Sequence, residues 1–325
     1  FMSVSTKDVK APIQEEMVEF EKRFYEAMKT RVPLINRVMN YIVRNKGKQM
    51  RPMFVFLTAG TCGEINDKTY RGASLVELLH TATLIHDDVV DDAFERRGLL
   101  SINALWKNKI AVLVGDYLLS RGLLLSLTNE DFRLLQISSE AVRRMSEGEL
   151  LQIEKSRSMD IGEETYYEII GMKTASLIAS CCSIGAASVG ASDETIEKMR
   201  VFGEKIGMAF QIKDDLFDYG DDKIGKPKGT DIKERKLTLP LIHALSNVEP
   251  KEQRRIKRVI EKRGNKQKGI REIVEFVKTH GGIDYARKQM FTYQEEAFNI
   301  LDELGAGTYE HSLKNLVRYT TERRK

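Results

Sequence analysis

The sequence predicts an all-α fold, organised as one helical bundle over residues 1–325, and three observations predict it. Apolar residues recur three and four positions apart, as at Met17, Phe20, Phe24, Ala27 and Met28. Only six prolines occur in 325 residues, and β-branched alternation is scarce. No Pro-, Gly- or Ser-rich stretch splits the chain, so one large core is expected.

Ile13 to Met28 reads as an amphipathic opening helix, and Pro33 opens a second over Leu34 to Val43. Asn45-Lys46-Gly47 ends it, with Gly47 expected to supply the positive φ of a C-terminal cap. Ile110 to Leu127 is apolar nearly all round, which predicts a helix buried on most of its surface, in part against a second copy of the chain. Phe132 to Ile153 continues the helical pattern, with Glu149 and Gln152 read as a packed, hydrogen-bonded pair. Tyr166 to Val189 is rich in Ala, Ser and Gly and predicts close helix approach, interrupted by Lys173 and Thr174. Gly220 to Thr230 reads as a polar mobile loop able to close over a site. From Pro250 onward, stripes such as Ile256, Val259, Ile260 and Ile270, Ile273, Val274, Val277 predict packing helices without chemistry.

Composition excludes several classes. The 52 basic and 48 acidic residues leave a net charge of +4, too balanced for a nucleic-acid partner; the basic run Arg254 to Lys268 reads as a solvated helix face. Cys62, Cys181 and Cys182 show no metal-site spacing and fit a reducing compartment. The start lacks a charged segment followed by an apolar run, and no stretch of about 20 apolar residues occurs, so no transmembrane segment and a cytoplasmic location are expected.

Chemistry concentrates in two places. In His80 to Asp92, helical spacing puts Asp87 and Asp91 on one face with His80 two turns back, among Leu84, Ile85, Val89 and Val90. Asp214 and Asp218 repeat that arrangement, with Gln211 on the same face. Each copy reads Asp-Asp-x-x-Asp in an apolar frame, with no internal cation to neutralise it. Two such helices face to face would form an all-oxygen cage suited to Mg²⁺, whose remaining ligands would come from a diphosphate. Lys48 and Arg51 open a helix whose free N–H groups favour an anion. Arg96 and Arg97 offer planar guanidinium forks for phosphate.

With these motifs the chain resembles the all-trans polyprenyl diphosphate synthases, most of all the long-chain enzymes that make quinone side chains. The resemblance runs from Gly47-Lys48-Gln49-Met50-Arg51-Pro52 through Lys173-Thr174 and Gly225-Lys226 to Lys236-Leu237-Thr238-Leu239-Pro240. One departure is Lys46-Gly47-Lys48-Gln49, where many members read Gly-Gly-Lys-Arg. The resemblance implies a helical bundle with a central cavity, a homodimer, and two or three Mg²⁺ ions held by Asp87, Asp88, Asp91, Asp214, Asp215 and Asp218. It implies that Lys48, Arg51, His80 and Arg97 hold isopentenyl diphosphate. Arg96, Lys173 and Lys226 would serve an allylic partner, farnesyl or geranyl diphosphate, and Thr174, Gln211 and Lys236 would be further substrate-binding residues. In related enzymes a basic C-terminus, here Arg323 and Arg324, approaches the isopentenyl site.

The implied reaction ionises the allylic diphosphate, adds the cation to the isopentenyl double bond and releases a proton to diphosphate. Ala82 and Thr83 are small where short-chain members usually place an aromatic residue, which implies a hexaprenyl to octaprenyl product. A floor set instead by Leu118 or Phe132 would give a short-chain synthase. A terpene cyclase and a non-catalytic partner subunit are the other readings; Lys48, Arg51 and His80 argue against the first, and retention of both motifs against the second.

Overall fold

The computed structural model describes residues 5–45, 47–96, 98–159, 161–219 and 229–322. Helix α1 (Thr6–Lys10) leads through a short 3-10 turn into α2 (Gln14–Met28), α3 (Pro33–Arg44), α4 (Met50–Cys62) and α5 (Asp67–Val90). A two-residue antiparallel hairpin, β1 (Glu95–Arg96) with β2 (Leu99–Leu100), separates α5 from α6 (Ile102–Thr128). Then come α7 (Phe132–Ser158), α8 (Glu163–Ile170), a π-helical turn over Gly171–Ala175, and α9 (Ser176–Ser188). Helices α10 (Asp193–Leu216), α11 (Thr230–Lys233), α12 (Leu239–Ser246), α13 (Pro250–Arg263), α14 (Gln267–Thr279), α15 (Gly282–Asp302) and α16 (Thr308–Glu322) complete the bundle.

The expected all-α class holds, with the hairpin as the sole sheet among the described residues. Local chemistry sets several boundaries. Asn66 begins α5 with a capping box, and the Ser101 and Ser192 hydroxyls accept from the first turns of α6 and α10. α3 ends at Asn45, whose N–H bonds back to Tyr41, and a left-handed residue, Gln49 (φ 55°), precedes α4.

Helix α10 is the spine. Its Met199, Phe202 and Ile206 join a core built from α1–α6, α9 and α16, and its Met208, Ala209, Ile212 and Leu216 join a second core with α8 and α12–α15. The small residues predicted in the 166–189 segment do permit a close seam. A Cβ on Gly203 would lie 2.7 Å from the Ala179 Cα, and one on Gly207 only 2.4 Å from the Ala175 Cα. The same seam fixes the π-turn that interrupts α8 and α9.

Helix α6 is covered by its own chain along one edge. Ala111, Val114, Gly115, Leu118 and Gly122 form its buried inner edge, with Gly115 seated directly against the His86 ring. Its outer leucines are open: Leu113 is 55% and Leu124 54% exposed. The helix is apolar on more faces than one chain covers, because only its inner edge meets the bundle.

Gly203→Val should overpack the seam between α9 and α10, lowering stability by about 1–3 kcal/mol in denaturant unfolding. An unchanged midpoint would contradict the close approach.

Candidate active site

A cavity of about 960 Å³ opens where seven elements converge. The start of α4 contributes Lys48 and Arg51, and α5 contributes Glu77, His80, Thr83 and Asp87. Glu149 of α7, Lys173 and Thr174 of the π-turn, Asp214 of α10 and Thr320 of α16 complete its polar wall. Phe54, Met145, Leu177, Ile178 and Phe210 supply apolar wall. The two distant aspartate motifs thus meet on one hollow, and His80 lies on the same wall as Asp87.

Both motifs sit at helix C-termini. α5 ends at Val90, with Asp91 as its C-cap residue donating its N–H to the Asp87 carbonyl at 2.8 Å. α10 ends at Leu216, and the turn then tightens, with Phe217 N–H bonded to the Asp214 carbonyl at 3.2 Å. Helix C-termini carry partial negative charge of their own, so these carboxylates add to a field already unfavourable to them.

The six acids do not share one environment. Asp87 and Asp214 line the cavity, and Asp91 is exposed at the rim of α5. Asp88 is buried and lines an adjoining 160 Å³ pocket that shares Arg51 and Glu77 with the cavity. Asp218 lies just past the end of α10; its buried carboxylate accepts the Asp231 N–H at 2.6 Å. Asp215 is buried between the Tyr166 hydroxyl, at 2.7 Å, and the Gln211 amide, at 2.8 Å, both donating to it. Gln211 in turn accepts from the Thr174 hydroxyl at 2.8 Å. A continuous hydrogen-bond chain therefore ties the cavity wall at Thr174 to the interior at Tyr166.

The cavity cations are each held by a protein partner. Arg51 donates from Nε and Nη2 to the two Glu77 carboxylate oxygens, both at 3.0 Å. Lys48 stands over the Tyr319 ring, 4.9 Å from its centroid. Lys173 is ion-paired with Glu149 and donates to Gln152 at 3.0 Å. The expected Glu149–Gln152 pair is thus a cradle for Lys173. Lys236 does not line the cavity; it pairs with Glu234, and although burial works to lower its ammonium pKa, that contact leaves it raised.

Arg97, Lys226, Arg323, Arg324 and the 220–228 segment lie outside the described residues, and Arg96 is described only as backbone in β1. Ala82 is fully buried in the core, whereas Thr83 stands on the wall. Leu118 is buried away from the cavity, and Phe132 is 60% exposed. Glu77, Tyr166 and Tyr319 are additional residues of the site. Glu77 had a signal, three residues before His80 on the same α5 face. The other two come from distant helices and had none.

With this geometry in view, the likeness to known proteins is decisive. Residues 32–277 match the polyprenyl synthetase family. The chain belongs to the polyprenyl synthetase family. By that membership this polyprenyl synthetase is a trans-prenyltransferase. It is 37% identical to the all-trans-nonaprenyl-diphosphate synthase (geranyl-diphosphate specific) of Rhodobacter capsulatus, covering 98% of each chain. Identity is 33% to the octaprenyl diphosphate synthase of Escherichia coli, over 95% of this chain and 96% of that one. It is 32% to heptaprenyl diphosphate synthase component 2 of Bacillus subtilis, over 96% and 89%. Among solved structures, a decaprenyl diphosphate synthase from Rhodobacter capsulatus superposes with a TM-score of 0.93 at 33% identity, over 99% and 100% of the chains. A polyprenyl synthase from Caulobacter crescentus, complexed with calcium and isoprenyl diphosphate, superposes with 0.90 at 31% identity over 100% of both.

A divalent cation fits this polyprenyl synthetase. The donors are all hard oxygens, and they gather at two negative helix ends. Among the described residues no three carboxylate, histidine or cysteine side chains converge as a ready-made metal site.

Burial pushes the Asp215 carboxyl up to about 8, with the Asp231 charge adding to the rise. The folded chain therefore keeps a proton that the unfolded chain releases near 3.8, so this contribution to stability is present below that value and lost as pH rises through about 8. In metal-free protein, Asp215→Asn should flatten that part of the fall in stability, measured by denaturant unfolding at about pH 5 and about pH 8. An unchanged slope would contradict it.

Proposed function

We propose that this polyprenyl synthetase condenses isopentenyl diphosphate with an allylic diphosphate, farnesyl or geranyl diphosphate, to a hexaprenyl to octaprenyl chain. The observation that carries the reading is the meeting of Asp87 and Asp214 on one cavity that also presents Lys48, Arg51, His80 and Lys173. A terpene cyclase has no use for the Lys48, Arg51 and His80 corner.

Asp87, Asp91 and Asp214 would hold two or three Mg²⁺ ions, which when bound neutralise charge developing on the departing diphosphate. Lys173, fixed by Glu149 and Gln152, adds a preorganised positive charge from the opposite wall. Arg96 and Lys226 are assigned to the same diphosphate by family resemblance. Lys48, Arg51 and His80 would bind the diphosphate of the isopentenyl partner and orient its double bond. Glu77 occupies two donors of Arg51 and thereby fixes the plane of the guanidinium fork. Phe54, Leu177, Ile178 and Phe210 exclude water from the allylic cation. The proton leaves to the released diphosphate.

Chain length is read at Thr83. His80, Thr83, Met145 and Leu177 also line a slit of about 10 Å³ between α5, α7 and α9, walled further by Val76, Leu79, Ser138, Ala141 and Val142. Ala141 and Ser180 continue from it into a groove of about 520 Å³. The slit has room for about one water and the groove is lined by Arg143, Arg144, Glu197 and Arg200, so the long-chain reading rests on the small Thr83 at the cavity wall and on the likeness to nonaprenyl and octaprenyl diphosphate synthases. The half-exposed leucines of α6 support a homodimer that covers them. The likeness to heptaprenyl diphosphate synthase component 2 keeps open a second reading, a chain that works with a different partner subunit.

Purified single chain incubated with farnesyl diphosphate, isopentenyl diphosphate and Mg²⁺ should give products longer than geranylgeranyl on chromatography after dephosphorylation. Nothing longer would overturn the long-chain reading, and no turnover would favour the two-subunit one. Asp87→Ala and Asp214→Ala should each lower kcat on the order of 10²-fold or more. Thr83→Phe should shorten the product while the first condensation continues; an unchanged product would remove Thr83 from the growth path.

A further inference from the structure

Residues 251–271 carry ten lysines and arginines against two glutamates, a net +8 in a chain whose total is +4, so the remaining residues sum to −4. The excess is ordered in space. On α13, Lys251, Arg254, Arg255, Arg258 and Lys262 recur every three or four residues and are all exposed, while Ile256 and Ile260 are buried. These five cations, with Arg263, lie together on one open surface. Arg255 is neutralised by Glu252 and Glu272. Lys251, Arg254, Arg258 and Lys262 have no carboxylate partner among the described residues, in contrast to the i,i+3 and i,i+4 pairs found along α2, α7 and α10.

We propose that this stripe is a docking surface for an anionic lipid bilayer. The surface is the convex side of a helix more than three turns long, with no exposed aromatic residue between Glu249 and Glu272 on which a base could stack. It presents charge without the shaped pocket that a discrete phosphate or a peptide motif would need. A bilayer carries diffuse negative charge and makes no geometric demand. The apolar side of α13 is spent in the core at Ile256, Val259 and Ile260, so contact is electrostatic, without insertion. The choice of a bilayer rests on the proposed long-chain product, whose tail partitions into lipid; the charge stripe itself does not depend on it.

The test is co-sedimentation of the full chain with vesicles of phosphatidylcholine alone and of phosphatidylcholine containing phosphatidylglycerol. Binding should occur only to the anionic vesicles and should fade as added salt shortens the Debye length. The variant Lys251→Glu/Arg254→Glu/Arg258→Glu/Lys262→Glu should bind roughly 100-fold or more weakly, and the corresponding glutamine variant should fall between. Both should keep wild-type turnover in detergent, since α13 lies outside the cavity, which also verifies their fold. Equal binding to neutral vesicles, equal binding by the glutamate variant, or tighter retention on duplex RNA than on anionic vesicles at matched charge would overturn the proposal. Product length is measured separately. A long product without vesicle binding sinks the surface alone, and binding with only a short product sinks the chain-length reading alone.

Discussion

Negative charge concentrated at two helix C-termini is the constraint on which the site depends. Asp87 and Asp91 close α5, and Asp214 closes α10, so both helices present carboxylates at the end where the macrodipole is already negative. Nothing in isolated-helix energetics favours that arrangement. It is tolerated because the two ends flank a hollow that admits a cation and a diphosphate rather than packing against each other. The lysine and arginine side chains of the hollow are held on the protein's own groups, Glu77, Glu149 and Tyr319, within reach of a ligand that brings more negative charge.

The seam between α9 and α10 carries this constraint into position. Gly203 and Gly207 let the helices nearly touch, and the adjoining π-turn rotates Lys173 and Thr174 onto the wall. From Thr174 the bonds to Gln211, Asp215 and Tyr166 brace α10 against the π-turn and α8. The middle aspartate of the second motif is therefore an internal strut, while its neighbour Asp214 faces the cavity. Adjacent residues on a helix point about 100° apart, so a doubled aspartate divides naturally into one acid for the cavity and one for the frame.

Much of this was legible in sequence because it is local. Helical spacing found the helices, the small residues of the 166–189 segment announced the seam, and the repeated Asp-Asp-x-x-Asp announced the cavity. The losses have physical causes. A linear pattern cannot tell which of two adjacent aspartates is turned inward, as Asp88 and Asp215 are. Nor can it show that Asp218, just past the end of α10, is tied to the start of α11 through the Asp231 N–H. How much of α6 its own chain would cover was not legible, because apolar composition is blind to which side a neighbour covers. Tyr319 approaches Lys48 only through the return of α16, a contact no spacing rule encodes.

The site works only if the two motifs grip one ligand together. The direct measurement is calorimetric titration of a non-ionisable allylic thiolodiphosphate in Mg²⁺ into wild type, Asp87→Ala, Asp214→Ala and the double variant. A shared grip predicts strong non-additivity, with the double variant binding little worse than either single and a coupling energy above about 1 kcal/mol. Losses that add to within about 0.5 kcal/mol would show two independent acidic patches and contradict it.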